Sequence, residues 1–284
     1  MKLVILAGDS PVSAFLVQEI GRQCDIAALV RPTTVRRKSK TQGPRTSTRL
    51  PKTIASAVGR RFYSWRNKRM NREISLQLFG SPHWPIPAAT SEISDRDINR
   101  AASVRFFESL QPDVLLVCGA PILQPQIFSI PRIGTYNLHF GIAPEYRGQN
   151  TFFWAQYRRD YDKLGFTLHS VDQGVDTGDI WAHGYPALQP RDTEATLWAK
   201  SVQLAARLIT EFLPQAEWQQ LSGVPQGSGQ NFHERDRTVW RDLAFLWNQS
   251  GLNRRLPTQP EKVERFFSCM FSDPVLSSAS RCGR

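Results

Sequence analysis

The chain has only four cysteines, Cys24, Cys118, Cys269 and Cys282, and no two of them form a C-x-x-C pair. The sequence therefore offers neither a disulfide framework nor a zinc site, and no metal is expected. Long apolar runs are also missing. Residues 1–7 are too few for a secretory h-region and carry no cleavage signal, and no later run approaches a membrane span. A cytoplasmic protein is the expectation. The glycines form neither G-x-G-x-x-G nor a Walker pattern, so Gly8-Asp9-Ser10-Pro11 reads as a plain strand-to-helix turn and not as a phosphate cradle. No internal repeat is visible.

Acidic residues are absent from residues 31–72, which hold fourteen of the 36 lysines and arginines. The remaining 22 basic residues face 25 acidic ones, so the excess positive charge belongs to this one segment. Residues 31–80 read as an insertion. Its first part, 33–47, is polar; its second, 52–79, sets Ile54, Val58, Phe62 and Trp65 at helical spacing among arginines. That is a basic amphipathic helix, serving either as a solvated cover on a sheet edge or as an attractor. The charge suits a phosphorylated substrate, anionic lipid at a membrane surface, or nucleic acid.

Elsewhere the chain alternates strand and helix. Residues 2–7 form a buried strand, Ser10-Pro11 caps a helix running to Gly21, and 25–30 return as a second strand. This β-α-β opening predicts an α/β fold, a Rossmann-like doubly wound and mostly parallel sheet with helices on both faces. A capped helix is expected from Ser94, an uninterrupted apolar strand over 113–118, a helix over 150–157, strands over 166–171 and 180–187, and a closing amphipathic helix over 192–213. A catalytic domain thus covers 1–215. A small C-terminal extension covers 216–284, with a linker over 224–230 and short helices over 236–247 and 260–271.

Polar chemistry concentrates between residues 137 and 179. In Gly134-Thr-Tyr-Asn-Leu-His139 the strand period places Asn137 and His139 on the same side of a sheet, and Pro144 and two glycines then mark a loop. A second strand leads into Asp172-Gln-Gly-Val-Asp176-Thr-Gly178, a glycine-bearing loop able to carry a carboxylate back toward the first. In open α/β sheets, ligands bind beyond the carboxyl ends of strands, where both loops are expected.

Asn137-Leu-His139, Pro144-Glu-Tyr-Arg-Gly148 and Val175-Asp176-Thr-Gly178 together resemble the formyltransferase family, in this order and over roughly residues 1–215. The resemblance implies that the formyl donor is 10-formyltetrahydrofolate and that Asn137, His139 and Asp176 are catalytic. Asn137 and His139 would stabilise the oxyanion, and Asp176 would move the proton or orient the imidazole. It also implies that Ile122 and Leu123 flank the folate ring, with Asp172, Gly174 and Val175 completing the donor site. The acceptor expected is a small-molecule amine, phosphate-bearing in one form of the reading, with a nucleotide-linked amino sugar first. Missing the Gly-rich phosphate loop disfavours the glycinamide ribonucleotide branch. The tail looks too short for the barrel-like RNA-binding domain of methionyl-tRNA formyltransferases, which stand second beside hydroxyornithine and amino-acid transferases. A non-catalytic nucleic-acid- or membrane-binding protein on the same fold is a further alternative.

Overall fold

The computed structural model describes residues 1–33, 50–213, 221–249 and 256–269. Strand β1 (Leu3–Ala7) is apolar and buried at all five positions, as suits the centre of a parallel sheet. Helix α1 (Pro11–Gly21) begins as its sequence dictates: the Ser10 hydroxyl accepts from the Ser13 N–H, and proline fills the first turn. Strand β2 (Ile26–Thr33) pairs parallel to β1. Helix α2 (Leu50–Phe79), strand β3 (Ser91–Ser94), helix α3 (Ala101–Leu110), strand β4 (Val114–Cys118), helix α4 (Pro125–Phe128) and strand β5 (Gly134–His139) follow.

After β5 the chain makes the short strand β6 (Arg147–Gly148), helix α5 (Thr151–Arg158), strands β7 (Phe166–Ser170) and β8 (Ile180–Tyr185), and helix α6 (Glu194–Phe212). The main sheet runs β11-β8-β7-β5-β4-β1-β2-β3, where β11 is Lys262–Arg265. The five strands β3, β2, β1, β4 and β5 pair in parallel, whereas β7, β8 and β11 are antiparallel to their neighbours. Leu16, Val202 and Leu208 fill one face of the sheet; Ile98, Phe107 and Ile127 fill the other. The expected doubly wound architecture is present.

Three local expectations are corrected. Ser94 ends β3 and does not open a helix: the Asp95 N–H continues the parallel ladder to the Thr33 carbonyl, a turn follows, and α3 starts only after Arg100. The segment expected as a helix over 260–271 is extended. Residues 262–265 add to the free edge of β8, and β12 (Phe267–Cys269) pairs with β9 (Leu221–Gly223). Finally, Trp65 does not lie on the buried stripe of α2. It is 52% exposed, and the buried side carries Arg66 and Ile74 instead. The polar segment 34–47 and the side chains of Ile54 and Val58 lie outside the described residues.

The described residues beyond 215 pack into the same body. Strand β10 (Asn231–Phe232) pairs with β6, and helix α7 (Val239–Asn248) sets Phe245 against Phe153. Phe232 stacks on Tyr146 and Trp154, so both tail elements enter the aromatic core around α5. Among the described residues no helix is long and apolar enough to cross a membrane.

Candidate active site

Strand alternation in β5 sends Tyr136 and Leu138 into the core and leaves Asn137 and His139 together on the other face. The antiparallel register of β7 sets His169 directly opposite Asn137. Asp176 arrives by a different route from the one expected. Because β7 runs against β5, its last residue pairs with Tyr136, so the following loop must fold back over the sheet to reach Asn137.

Local chemistry makes that fold-back tight. The Asp172 carboxylate accepts from the Gly174 N–H at 3.0 Å and the Thr177 hydroxyl at 2.7 Å, the pattern of an Asx turn. A side chain at Gly178 would meet the Ser170 carbonyl oxygen at 1.9 Å. Asp176 itself adopts φ +53°, a left-handed conformation that is uncommon outside glycine, Asn and Asp. The tail holds it there: the Gln226 side-chain amide donates to the carbonyls of Asp176 and Gly178, and buried Arg147 grips the Gln226 oxygen through Nε and Nη2.

The outcome is a carboxylate with donors or imidazole nitrogens on both oxygens. Oδ1 accepts from Asn137 Nδ2 at 3.1 Å and lies 3.4 Å from His169 Nε2. Oδ2 accepts from the Gly148 N–H at 2.9 Å and lies 3.3 Å from His139 Nδ1. Burial opposes ionisation of Asp176, but His139, His169 and the Gly148 N–H outweigh it and hold the carboxyl well below the usual carboxylate range. Burial pulls the His139 pKa down, and Asp176 offsets part of that fall.

Hydrogen-bond partners fix the tautomers. His139 Nε2 lies 2.8 Å from the Tyr146 carbonyl and must donate to it, so Nδ1 carries the lone pair of the neutral ring and faces Asp176. A proton arriving at Nδ1 completes an ion pair. His169 Nδ1 donates to the Ser170 carbonyl at 2.8 Å, so its Nε2 accepts from Asn137 Nδ2 at 3.1 Å. Both Asn137 amide protons are therefore engaged, one with Asp176 and one with His169. The four side chains form a closed relay able to accept a proton and to give up one amide donor.

This relay floors a cleft of about 740 Å³, ample for two small substrates side by side. All eight residues expected from sequence line it, but in different ways. Asp176 touches both Asn137 and His139. Ile122 and Val175 present 64% and 39% of their surface, apolar area that a flat ring can cover, whereas Leu123 is buried in the core. Asp172 and Gly174 shape the loop. Sequence reasoning gave no role to His169, to the Gly148 N–H, or to Arg147 and Gln226. The register of an antiparallel pair is what reveals the first, and long-range tail contacts the last two. Among the described residues no cluster of potential metal ligands occurs.

A model of the formyl transferase family matches residues 64–213. The methionyl-tRNA formyltransferase of Methylacidiphilum infernorum (isolate V4) is 35% identical over 133 residues, which are 46% of this chain and 41% of that protein. That of Acidovorax ebreus (strain TPSY) is 34% identical over 152 residues, 52% of this chain and 46% of that protein. The chain thus spans half or less of the length of these curated relatives. Among solved structures, a Mycobacterium tuberculosis protein described as a "likely sugar N-formyltransferase" superposes with a TM-score of 0.54 over 86% of this chain and 85% of its own, at 15% identity. That likeness is one of fold.

Proposed function

The chain belongs to the formyl transferase family, and on that premise we propose that it transfers a formyl group from 10-formyltetrahydrofolate to the amine of a small molecule, with a nucleotide-linked amino sugar as the first acceptor to test. The observation that carries this reading is the relay of buried His139 and His169 with half-buried Asn137 and Asp176 on the floor of the cleft. Exposed Ile122 and Val175 fit the flat ring of a folate. When bound, the donor supplies an electrophilic formyl carbon and a nitrogen leaving group.

The residues then divide the work. A new bond from the acceptor nitrogen to the formyl carbon and loss of the donor C–N bond require one proton to leave the first nitrogen and one to reach the second. His139 is held neutral by burial, with the Nδ1 lone pair beside Asp176, so it takes up the proton that leaves the acceptor nitrogen while Asp176 balances its charge, and that proton passes to the donor nitrogen as the donor C–N bond breaks. Asn137 stabilises negative charge on the formyl oxygen by exchanging its contact with His169 for one with that oxygen. Gly148 keeps Asp176 ionised and oriented throughout.

The curated relatives favour a second reading, formylation of methionyl-tRNA. The experiment is transfer of labelled formyl from 10-formyltetrahydrofolate to panels of amino-sugar nucleotides, amino acids, hydroxyornithine and charged initiator tRNA. Label on small amines supports the first reading. Label on tRNA alone promotes the second, and label on nothing leaves a binding protein on this fold.

A further inference from the structure

Helix α2 turns two different faces to its surroundings. With about 100° between successive residues, Arg66, Asn67, Met70, Asn71 and Ile74 fall within one arc of roughly 140°, and all five line the catalytic cleft. Arg61, Lys68, Arg69 and Arg72 fall on the opposite side of the helix and are exposed. Most of the described positive charge of the helix thus points away from the cleft.

Among the described side chains, the one basic residue on the cleft side is already neutralised. Arg66 Nη2 lies 2.9 Å from Glu194 Oε2, and its Nε lies 3.1 Å from Asp242 Oδ1. Arg237, the next cation on this wall, binds Asp242 at 2.7 Å and the Asn150 oxygen at 2.9 Å. No unpaired cation remains there among the described side chains to meet a phosphate or carboxylate.

What this wall does present is carboxamide. Asn67 and Asn71 from α2, Gln149 and Asn150 from the turn into α5, and Asn231 from β10 all border the cleft, and none is buried. Asn67, Asn71 and Asn231 make no side-chain hydrogen bond with any described residue, and Gln149 and Asn150 use only their oxygens, toward Glu234 N–H and Arg237. Each amide offers a donor, and the three free ones also an acceptor, without net charge. A sugar hydroxyl likewise donates and accepts, whereas a phosphate only accepts and would lose its hydration without gaining a counter-charge.

We infer that this carboxamide wall is the acceptor subsite and reads the hydroxyls of an uncharged sugar ring, with Asn67 and Asn71 as specificity-determining residues. The inference rests on the formyl-transfer reading and deepens it. It assigns to the inserted helix a role in substrate choice, distinct from charge attraction.

The test uses the full chain with 10-formyltetrahydrofolate and two amines, the methyl glycoside of an aminohexose and cyclohexylamine. The intact protein should prefer the glycoside. In the variant combining Asn67→Ala with Asn71→Ala, the ratio of kcat/KM for glycoside over cyclohexylamine should fall by roughly 10- to 100-fold, since each lost hydrogen bond is worth up to about tenfold. That fall should appear mainly as a higher KM for the glycoside. Asn71→Gln, which keeps the amide, should retain more of the preference than Asn71→Ala. A preference unchanged in the double variant overturns the inference. Saturation-transfer NMR of the glycoside decides the matter independently of turnover: loss of the ring-proton signal in the double variant supports the subsite, and an unchanged signal refutes it. If no amine is formylated, the functional reading falls while the NMR result still judges the wall.

Discussion

Replacing Asp176 by asparagine alters the centre of the relay with almost no change of shape. Oδ1 faces the Asn137 amide at 3.1 Å, and Oδ2 faces the Gly148 N–H at 2.9 Å. A new amide nitrogen must occupy one of these places, so either orientation sets two donors against each other. One buried donor left without a partner costs about 1–3 kcal/mol, a fall in Tm of roughly 2–12 °C for a domain of this size. Turnover should suffer more, by about 10² to 10⁴, the usual contribution of a positioned proton-transfer group. The pH profile gives a sharper readout. Burial depresses the His139 pKa and Asp176 partly restores it, so removing the carboxylate charge depresses it further. Activity that needs neutral His139 then persists to lower pH, and the acid limb of kcat should move downward. Stability should lose its own acid dependence in parallel. The native carboxyl titrates below its unfolded value, so its stabilisation is present above about pH 4 and disappears as pH falls through the lower folded pKa; the amide has none to lose. Single-turnover formyl transfer across pH 4–8 measures the first, and thermal melts carried from neutral pH to well below pH 4 measure the second. Turnover within about threefold of the native rate, or an acid limb displaced upward, refutes the role given to Asp176.

Much of this is legible in the sequence, because it follows from short-range periodicity. Apolar β1 and β4, the Ser10 cap of α1 and the alternation in β5 that unites Asn137 with His139 are local properties. The places where sequence reasoning failed share a different cause. His169 enters the site through pairing of β7 with β5, and nothing in Phe166–Ser170 states whether that pairing is parallel or antiparallel. Residues 262–265 are extended because the edge of β8 is free to receive them, a tertiary fact that overrides a helix-compatible sequence. Trp65 and Arg66 reverse the simple rule for apolar and charged residues: the guanidinium is buried because Glu194 and Asp242 lie waiting on α6 and α7, while the indole remains in solvent. Positive charge counted along residues 31–72 gives the amount of charge but not its direction, and it is the direction that separates the cleft wall from the outer face of α2.

Four further outcomes follow from particular contacts. Arg66→Met leaves the Glu194 carboxylate without its cation in a site only 10% exposed, which should cost about 3–5 kcal/mol; because burial already raises the Glu194 pKa, the loss should deepen as pH rises in thermal melts. Gly148→Ala places a Cβ 2.3 Å from the Phe232 carbonyl oxygen at φ +89°, so it should displace the N–H that holds Asp176 and cut kcat together with stability. The exposed arginines and lysine of α2 predict binding to anionic phospholipid vesicles that weakens steeply between low and high salt, checked by co-sedimentation; salt-independent behaviour rejects that attraction. His169→Ala removes the acceptor that orients one Asn137 amide proton and an imidazole 3.4 Å from Asp176, without touching the cleft's apolar rim. An amide free to rotate is no longer preorganised toward the formyl oxygen, so kcat should fall about tenfold or more with the KM for 10-formyltetrahydrofolate unchanged. Adding Asp176→Asn should then cost little beyond the worse single change, because both act on one transition state. Additive losses, or a His169→Ala protein with native kcat, place His169 outside the relay and return it to a structural pairing between β5 and β7.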